Sequence, residues 1–137
     1  MTTEFSLDVR YSECDQGGVV HHSVYAIWYE TARMDFFRRI GFPFTEMNAH
    51  DILPPLVDLH VQYHAPVRYP ARVSIKTFIG EYSPKKIELR YQLYSGGVLA
   101  SEATTLIVWT NKTTMRSMDL EAAYPEIYAK IAAAAQA

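Results

Sequence analysis

Four stretches of this 137-residue chain alternate apolar and polar residues with period two, and the segment between the first two has period three to four. Phe5, Leu7, Val9 and Tyr11 are interleaved with Glu4, Ser6, Asp8 and Arg10. Val57, Leu59, Val61 and Tyr63 are interleaved with Asp58, His60, Gln62 and His64. Val73, Ile75, Thr77 and Ile79 form a third set, and Ile87, Leu89, Tyr91 and Leu93 alternate with Lys86, Glu88, Arg90 and Gln92. Successive side chains of a strand point to opposite faces, so each stretch reads as a strand with one buried face. A fifth strand is expected over about Val98–Thr110. Its end, Leu106-Ile107-Val108-Trp109, is apolar on both parities, which predicts cover on both faces. Gly96-Gly97 reads as a tight hairpin between the last two strands, and Pro84 with its neighbours turns the preceding pair.

After the first strand, Tyr25, Trp28, Ala32, Phe36 and Ile40 recur every three to four residues, and Val24, Ile27, Tyr29 and Phe37 widen the stripe. The pattern predicts a helix from His22 to Ile40, about 28 Å long. Ser23 reads as its cap, and Gly41 followed by Pro43 as its end. Its first half is apolar nearly all round, which predicts enclosure. A second helix is expected from about Asp119 into the Ala-rich end. Four sequential strands favour antiparallel pairing, and one helix must cover the apolar face of a curved five-stranded sheet, an α+β solution. No linker or repeat divides residues 1–137, so one domain is expected.

Composition narrows the function. An apolar fraction of 49% with 20% charged residues argues against disorder. A net charge of −2 without a basic run gives no electrostatic footprint for nucleic acid. The single cysteine, Cys14, excludes an internal disulfide and a cysteine-based zinc cluster. No apolar run reaches about 18 residues, so no integral membrane segment is expected. The polar start MTTEFSLDVR does not resemble a signal peptide, which makes the cytoplasm the expected compartment.

The chemistry concentrates in Tyr11–Glu30, YSECDQGGVVHHSVYAIWYE. Asp15 leaves the first strand in a loop, and Gly17-Gly18 then allows a turn with positive φ or a close backbone approach. The chain next enters the long helix, whose N-terminus presents unpaired N–H groups and partial positive charge. A carboxylate beside such donors is sufficient apparatus for attack on an activated acyl group. By itself an Asp before Gly-Gly is more often a turn.

Asp15, Gly17, Gly18, Val19, Val20, Tyr25 and Glu30 stand in the register of a known signature. The segment resembles that of hotdog-fold acyl-CoA thioesterases, of the 4-hydroxybenzoyl-CoA type from Pseudomonas and the bacterial group associated with the Tol–Pal system. Tyr11 and Glu13 match the aromatic and acidic positions ahead of the Asp, and His22 matches a His common in the Tol–Pal group. The resemblance implies a hotdog fold, a long helix wrapped by a five-stranded antiparallel sheet. It implies hydrolysis of an acyl-CoA thioester to free acid and CoA, with no cofactor beyond the CoA of the substrate. Asp15 would be nucleophile or general base, the backbone N–H of His22 the oxyanion donor, and Glu30 a group that positions water or substrate. Gly18, Val20 and Tyr25 would line the substrate site, and CoA would run along a subunit interface of a homo-oligomer, a dimer or a homotetramer built as a dimer of dimers. Two departures stand out: Val24 replaces the usual Asn before the helix Tyr, and Pro70-Ala71 lacks the acidic pair common between the second and third strands.

The remaining candidates divide between chemistry and structure. Lys85, Lys86 and Arg90 could meet the CoA phosphates or form a solvated hairpin edge. Glu30 has Arg33 nearby as an ion-pair partner, and Glu13 reads as orienting the loop. Adjacent His21 and His22 are expected to point apart, and no third ligand has diagnostic spacing, so no metal is expected. His60 and His64 read as a polar strand face, and Trp28-Tyr29 as core. Cys14 has no specified partner base. Two alternatives to hydrolysis are a non-catalytic acyl-CoA or acyl-carrier-protein binding module and hydration of an enoyl thioester; the latter wants an Asp–His dyad in a hydratase-type motif that is not found.

Overall fold

The computed structural model describes all residues from Met1 to Ala137. In chain order they form β1 (Thr2–Asp8), a 3₁₀ turn (Tyr11–Glu13), α1 (Val24–Arg39), α2 (Phe44–Ala49), β2 (Ile52–Leu53), β3 (Leu56–Tyr63), β4 (Arg72–Tyr82), β5 (Lys86–Ser95), β6 (Val98–Val108), β7 (Thr110–Asn111), α3 (Leu120–Ala123) and α4 (Pro125–Gln136). The five long strands make one antiparallel sheet in the order β1-β4-β5-β6-β3. With α1 against it, this is the expected hotdog arrangement.

Register follows from the alternation. Ile75 pairs with Leu93, Leu89 with Thr105 and Leu93 with Ser101, which puts the apolar parity of β4, β5 and β6 on one face. That face is closed by Tyr25, Trp28, Tyr29, Ala32, Phe36 and Phe37 of α1, all buried. Each large side chain buried there contributes roughly 1.5–3 kcal/mol, and Phe36→Ala would cost about 3–5 kcal/mol through the cavity it leaves. A polar relay runs under the helix: Tyr29 Oη donates to Ser101 Oγ at 2.6 Å, and Ser101 Oγ donates to the Gln62 carbonyl at 2.8 Å. Burial pushes the Tyr29 and Tyr91 hydroxyls above their ordinary pKa. Gly96 and Gly97, at φ +58° and +78°, turn β5 into β6 with the double left-handed geometry that glycine tolerates.

Several expectations need correction. Ser23 precedes α1 but does not cap it; its backbone is already helical and its Oγ bonds to His21 Nδ1 at 2.7 Å. Tyr11 lies in the 3₁₀ turn rather than in a strand and is 78% exposed. The first half of α1 is not enclosed: Ile27 is 58% exposed. Nor has the second strand a buried face. Leu59 and Tyr63 point to the helix side through their pairing with Thr105 and Ser101, yet both are exposed. The reason is position: α1 lies against β4 and β1, and β3 is the opposite edge of the sheet. In β6, Ser101, Ala103, Thr105 and Ile107 are buried while Leu106 and Val108 are only half-buried, so one face, not two, is covered. The C-terminal helix is two helices, because Asp119 caps the first through the Ala122 N–H and Pro125 starts the second. α2 and the small β2–β7 sheet have no periodic signal; β2 and β7 are two residues each. No helix is long and apolar enough to cross a membrane.

Candidate active site

The loop between the 3₁₀ turn and α1 closes on itself. Cys14 bridges Val20, the Asp15 N–H donates to the Val19 carbonyl at 2.9 Å, and the Gly18 N–H donates to the Asp15 carbonyl at 3.0 Å. Gly18 sits at φ +75°, which a side chain would strain. The loop is docked on the connection between β3 and β4 by Val20 N–H to the Val67 carbonyl, 2.8 Å, and by the Val19–Arg68 bridge. Val20 is thereby buried and fills the floor beside the loop.

Asp15 stands exposed at the tip. One carboxylate oxygen accepts the Gly17 N–H at 2.8 Å, and the other is free. Beyond the loop, His21 N–H donates to the Glu13 carbonyl at 2.9 Å, whereas His22 N–H makes no hydrogen bond within the chain. The His22 carbonyl accepts the Tyr63 hydroxyl at 2.9 Å, and Tyr63 meets Tyr25 edge-on with ring centroids 4.9 Å apart. Burial, reinforced by Tyr63, raises the Tyr25 hydroxyl pKa. A cavity of about 280 Å³ opens at this helix start, lined by Val20, His22, Tyr25, Tyr63, His64 and Ala65. A free carboxylate oxygen, a free N–H and an open cavity thus lie along one loop and its helix start.

The other sequence candidates lie elsewhere within the chain. Glu30 is six residues into α1, about 9 Å along it from Val24. It is exposed, 3.9 Å from Arg33, and lines a separate, more apolar cavity of about 390 Å³ with Met34, Phe44, Leu53 and Pro54. Lys85 and Lys86 are exposed at the far end of β4 and β5, whereas the Asp15 loop docks beside the start of β4. Eleven residues of β4 separate these ends by about 33 Å. The His21 and His22 rings do not point apart; they stack with centroids 4.1 Å apart, because both precede the regular helix. His64 lies just past β3 and pairs with Glu102 at 3.0 Å.

Two contacts at the site were not assigned from the sequence. The Tyr63 hydroxyl contact spans 41 residues, and nothing local announces it. Glu13 reads as a loop-orienting acid, but its partner, the Trp28 indole at 2.9 Å, is visible only in the fold.

A family model described as the thioesterase-like superfamily matches residues 9–134. A candidate acyl-CoA thioesterase of Bacillus subtilis (strain 168), YneP, is 30% identical over 121 residues, 88% of each chain. The acyl-CoA thioester hydrolase YbgC of Escherichia coli O157:H7 is 29% identical over 118 residues, 84% of this chain and 88% of its own. Among solved structures, a DHNA-CoA thioesterase from Staphylococcus aureus superposes with a TM-score of 0.89 at 31% identity, covering 96% of this chain and 91% of that one.

Proposed function

The chain belongs to the thioesterase-like superfamily, and from that membership we propose that it hydrolyses an acyl-CoA thioester to free acid and CoA, with Asp15 as the working carboxylate. The observation that carries this reading is that one loop holds both a free Asp15 oxygen and, just ahead of α1, an unspent His22 N–H. The N–H would polarise the thioester carbonyl and hold the oxyanion as charge develops on it. The carboxylate has two routes. As nucleophile it bonds to the carbonyl carbon and expels CoA thiolate, and water then opens the anhydride. As base it takes a proton from water, the resulting hydroxide adds to the carbon, and the adduct collapses with cleavage of the C–S bond as that proton passes to the departing CoA sulfur. Both end in one acid and one thiol. The Gly17 N–H keeps one oxygen fixed and aims the other.

The apolar cavity beside Glu30 is the site proposed for the acyl group. It lies next to a free sheet edge with exposed Leu56, Val57 and Leu59, and beside exposed Ile27 and Met34 on α1. An edge strand of eight residues with an apolar face is costly to leave bare. A second copy of the chain is proposed to pair there, making a dimer or dimer of dimers in which Asp15 of one subunit and Glu30, Lys85 or Lys86 of another serve one substrate. Within the superfamily, the Asp15–Glu30 motif favours the 4-hydroxybenzoyl-CoA or Tol–Pal-associated type, and the substrate needs no added cofactor.

Asp15→Asn tests the assignment. It preserves shape and removes the anionic oxygen, so kcat for the best substrate in an acyl-CoA panel should fall at least about a hundredfold with KM nearly unchanged. Glu30→Gln is the control that divides the roles. A folded Asp15→Asn protein working at the wild-type rate would refute the assignment.

A further inference from the structure

We propose that Glu13 is a positioning residue for this reaction: its buried carboxylate ties the Asp15 loop to α1 through the Trp28 indole. The role rests on the hydrolase reading above and deepens it. Glu13 is 7% exposed. Its Oε1 accepts the Arg10 N–H at 2.7 Å, and its Oε2 accepts the Trp28 Nε1–H at 2.9 Å. The Arg10 guanidinium stands 3.6 Å away and is itself largely exposed. The Glu13 backbone carbonyl accepts the His21 N–H at 2.9 Å. One residue therefore grips the chain on both sides of the loop, two positions before Asp15 and one before His22.

Its helix anchor is rigid. Trp28 is 3% exposed on the face of α1 that packs against the sheet. Burying a carboxylate beside one solvent-exposed cation is costly, and a position needed only for packing would be better filled by an apolar side chain. What the carboxylate supplies instead is two N–H acceptors at once. Glutamine can satisfy one of those donors only, since its amide nitrogen does not accept. A displacement of about 1 Å at a reacting group can reduce rate about a hundredfold, so a lock on this loop acts on turnover before it acts on binding.

The test uses the full chain carrying Glu13→Gln, Trp28→Phe and both together. Each is measured for melting temperature, for amide hydrogen exchange along the chain, and for kcat and KM on the best acyl-CoA well below the lowest melting point. Each single variant should lose about tenfold in kcat with KM within about threefold. The double variant should be no worse than the poorer single, because the two share one contact. Faster exchange should be confined to residues 14–23, with β4 and β5 unchanged. Should Glu13→Gln fail to fold, Trp28→Phe, which keeps an aromatic ring in place, carries the test. Folded variants with kcat within twofold of wild type overturn the role, as do additive losses or losses that vanish on cooling. A wild-type protein inactive on the whole panel overturns the hydrolase reading and this role with it; an active wild type with unaffected variants overturns this role alone.

Discussion

The Tyr63 hydroxyl donates to the His22 carbonyl across 2.9 Å, joining the end of the edge strand β3 to the residue whose N–H is unspent. The bond fixes the peptide after His22, and with it the direction in which the His22 N–H can be aimed. Tyr63→Phe keeps the ring against Tyr25 and removes the bond. Removing an oxyanion donor outright costs about 10²–10³ in rate, and loosening one costs less. The expected loss in kcat is about tenfold with KM nearly constant; steady-state kinetics at wild-type kcat would show that the contact does not bear on turnover.

The free edge of β3 makes a prediction about assembly. Leu59→Lys places a charge on an exposed apolar face without disturbing the buried parity of β4 and β5. Monomer folding should survive, since surface changes away from packed contacts are usually worth within about 0.5 kcal/mol. Sedimentation should show wild type as a dimer or larger, and the variant shifted toward the 15.7 kDa chain with activity lost in parallel. A fully active monomeric wild type would remove the second copy from the mechanism.

Salt distinguishes the role of the far-end cations. If Lys85 and Lys86 of another subunit hold CoA phosphates, screening weakens that attraction as ionic strength rises, with a Debye length near 8 Å at about 0.15 M. KM for acyl-CoA should climb with salt while that for the acyl-pantetheine analogue stays level. Lys85→Ala with Lys86→Ala should flatten the dependence. Equal salt responses from both substrates would rule the lysines out.

Alkaline stability follows from Tyr29. Its buried hydroxyl has a pKa raised above the ordinary value of 10.0. Below that value both folded and unfolded states keep the proton, and stability is fully present. Above it the unfolded chain ionises while the native hydroxyl stays protonated, so stability falls by about 1.4 kcal/mol per pH unit for this group. Tyr29→Phe should lose about 1 kcal/mol at pH 7 through the missing Ser101 bond and then decline less steeply above pH 10. Denaturant titrations at pH 7 and 11 with equal slopes for both proteins would contradict this.

Much of the architecture was legible because it rests on local periodicity. Val73, Ile75, Ile87, Leu89 and Leu93 lie on the buried face their alternation predicts, and the α1 stripe from Tyr25 to Phe37 packs on it. Short elements such as α2 and β2 were not legible, because six residues span fewer than two helical turns and two residues never repeat the strand alternation. β3 alternates as cleanly as its neighbours, and only its place at the edge leaves Leu59 and Tyr63 exposed.

The sequence alone determined the strand–helix–strand order, the faces of the central strands and the Asp-x-Gly-Gly turn, since each depends on side chains a few residues apart. Tertiary structure alone decided which groups meet. Glu13 finds Trp28 fifteen residues on, Tyr63 finds the His22 carbonyl across 41, and Glu30 lines a different cavity from the one at His22. Period describes which way a side chain points from its own backbone. Partners are set by where the sheet order and the loop docking bring distant backbones together, and no local pattern encodes that distance.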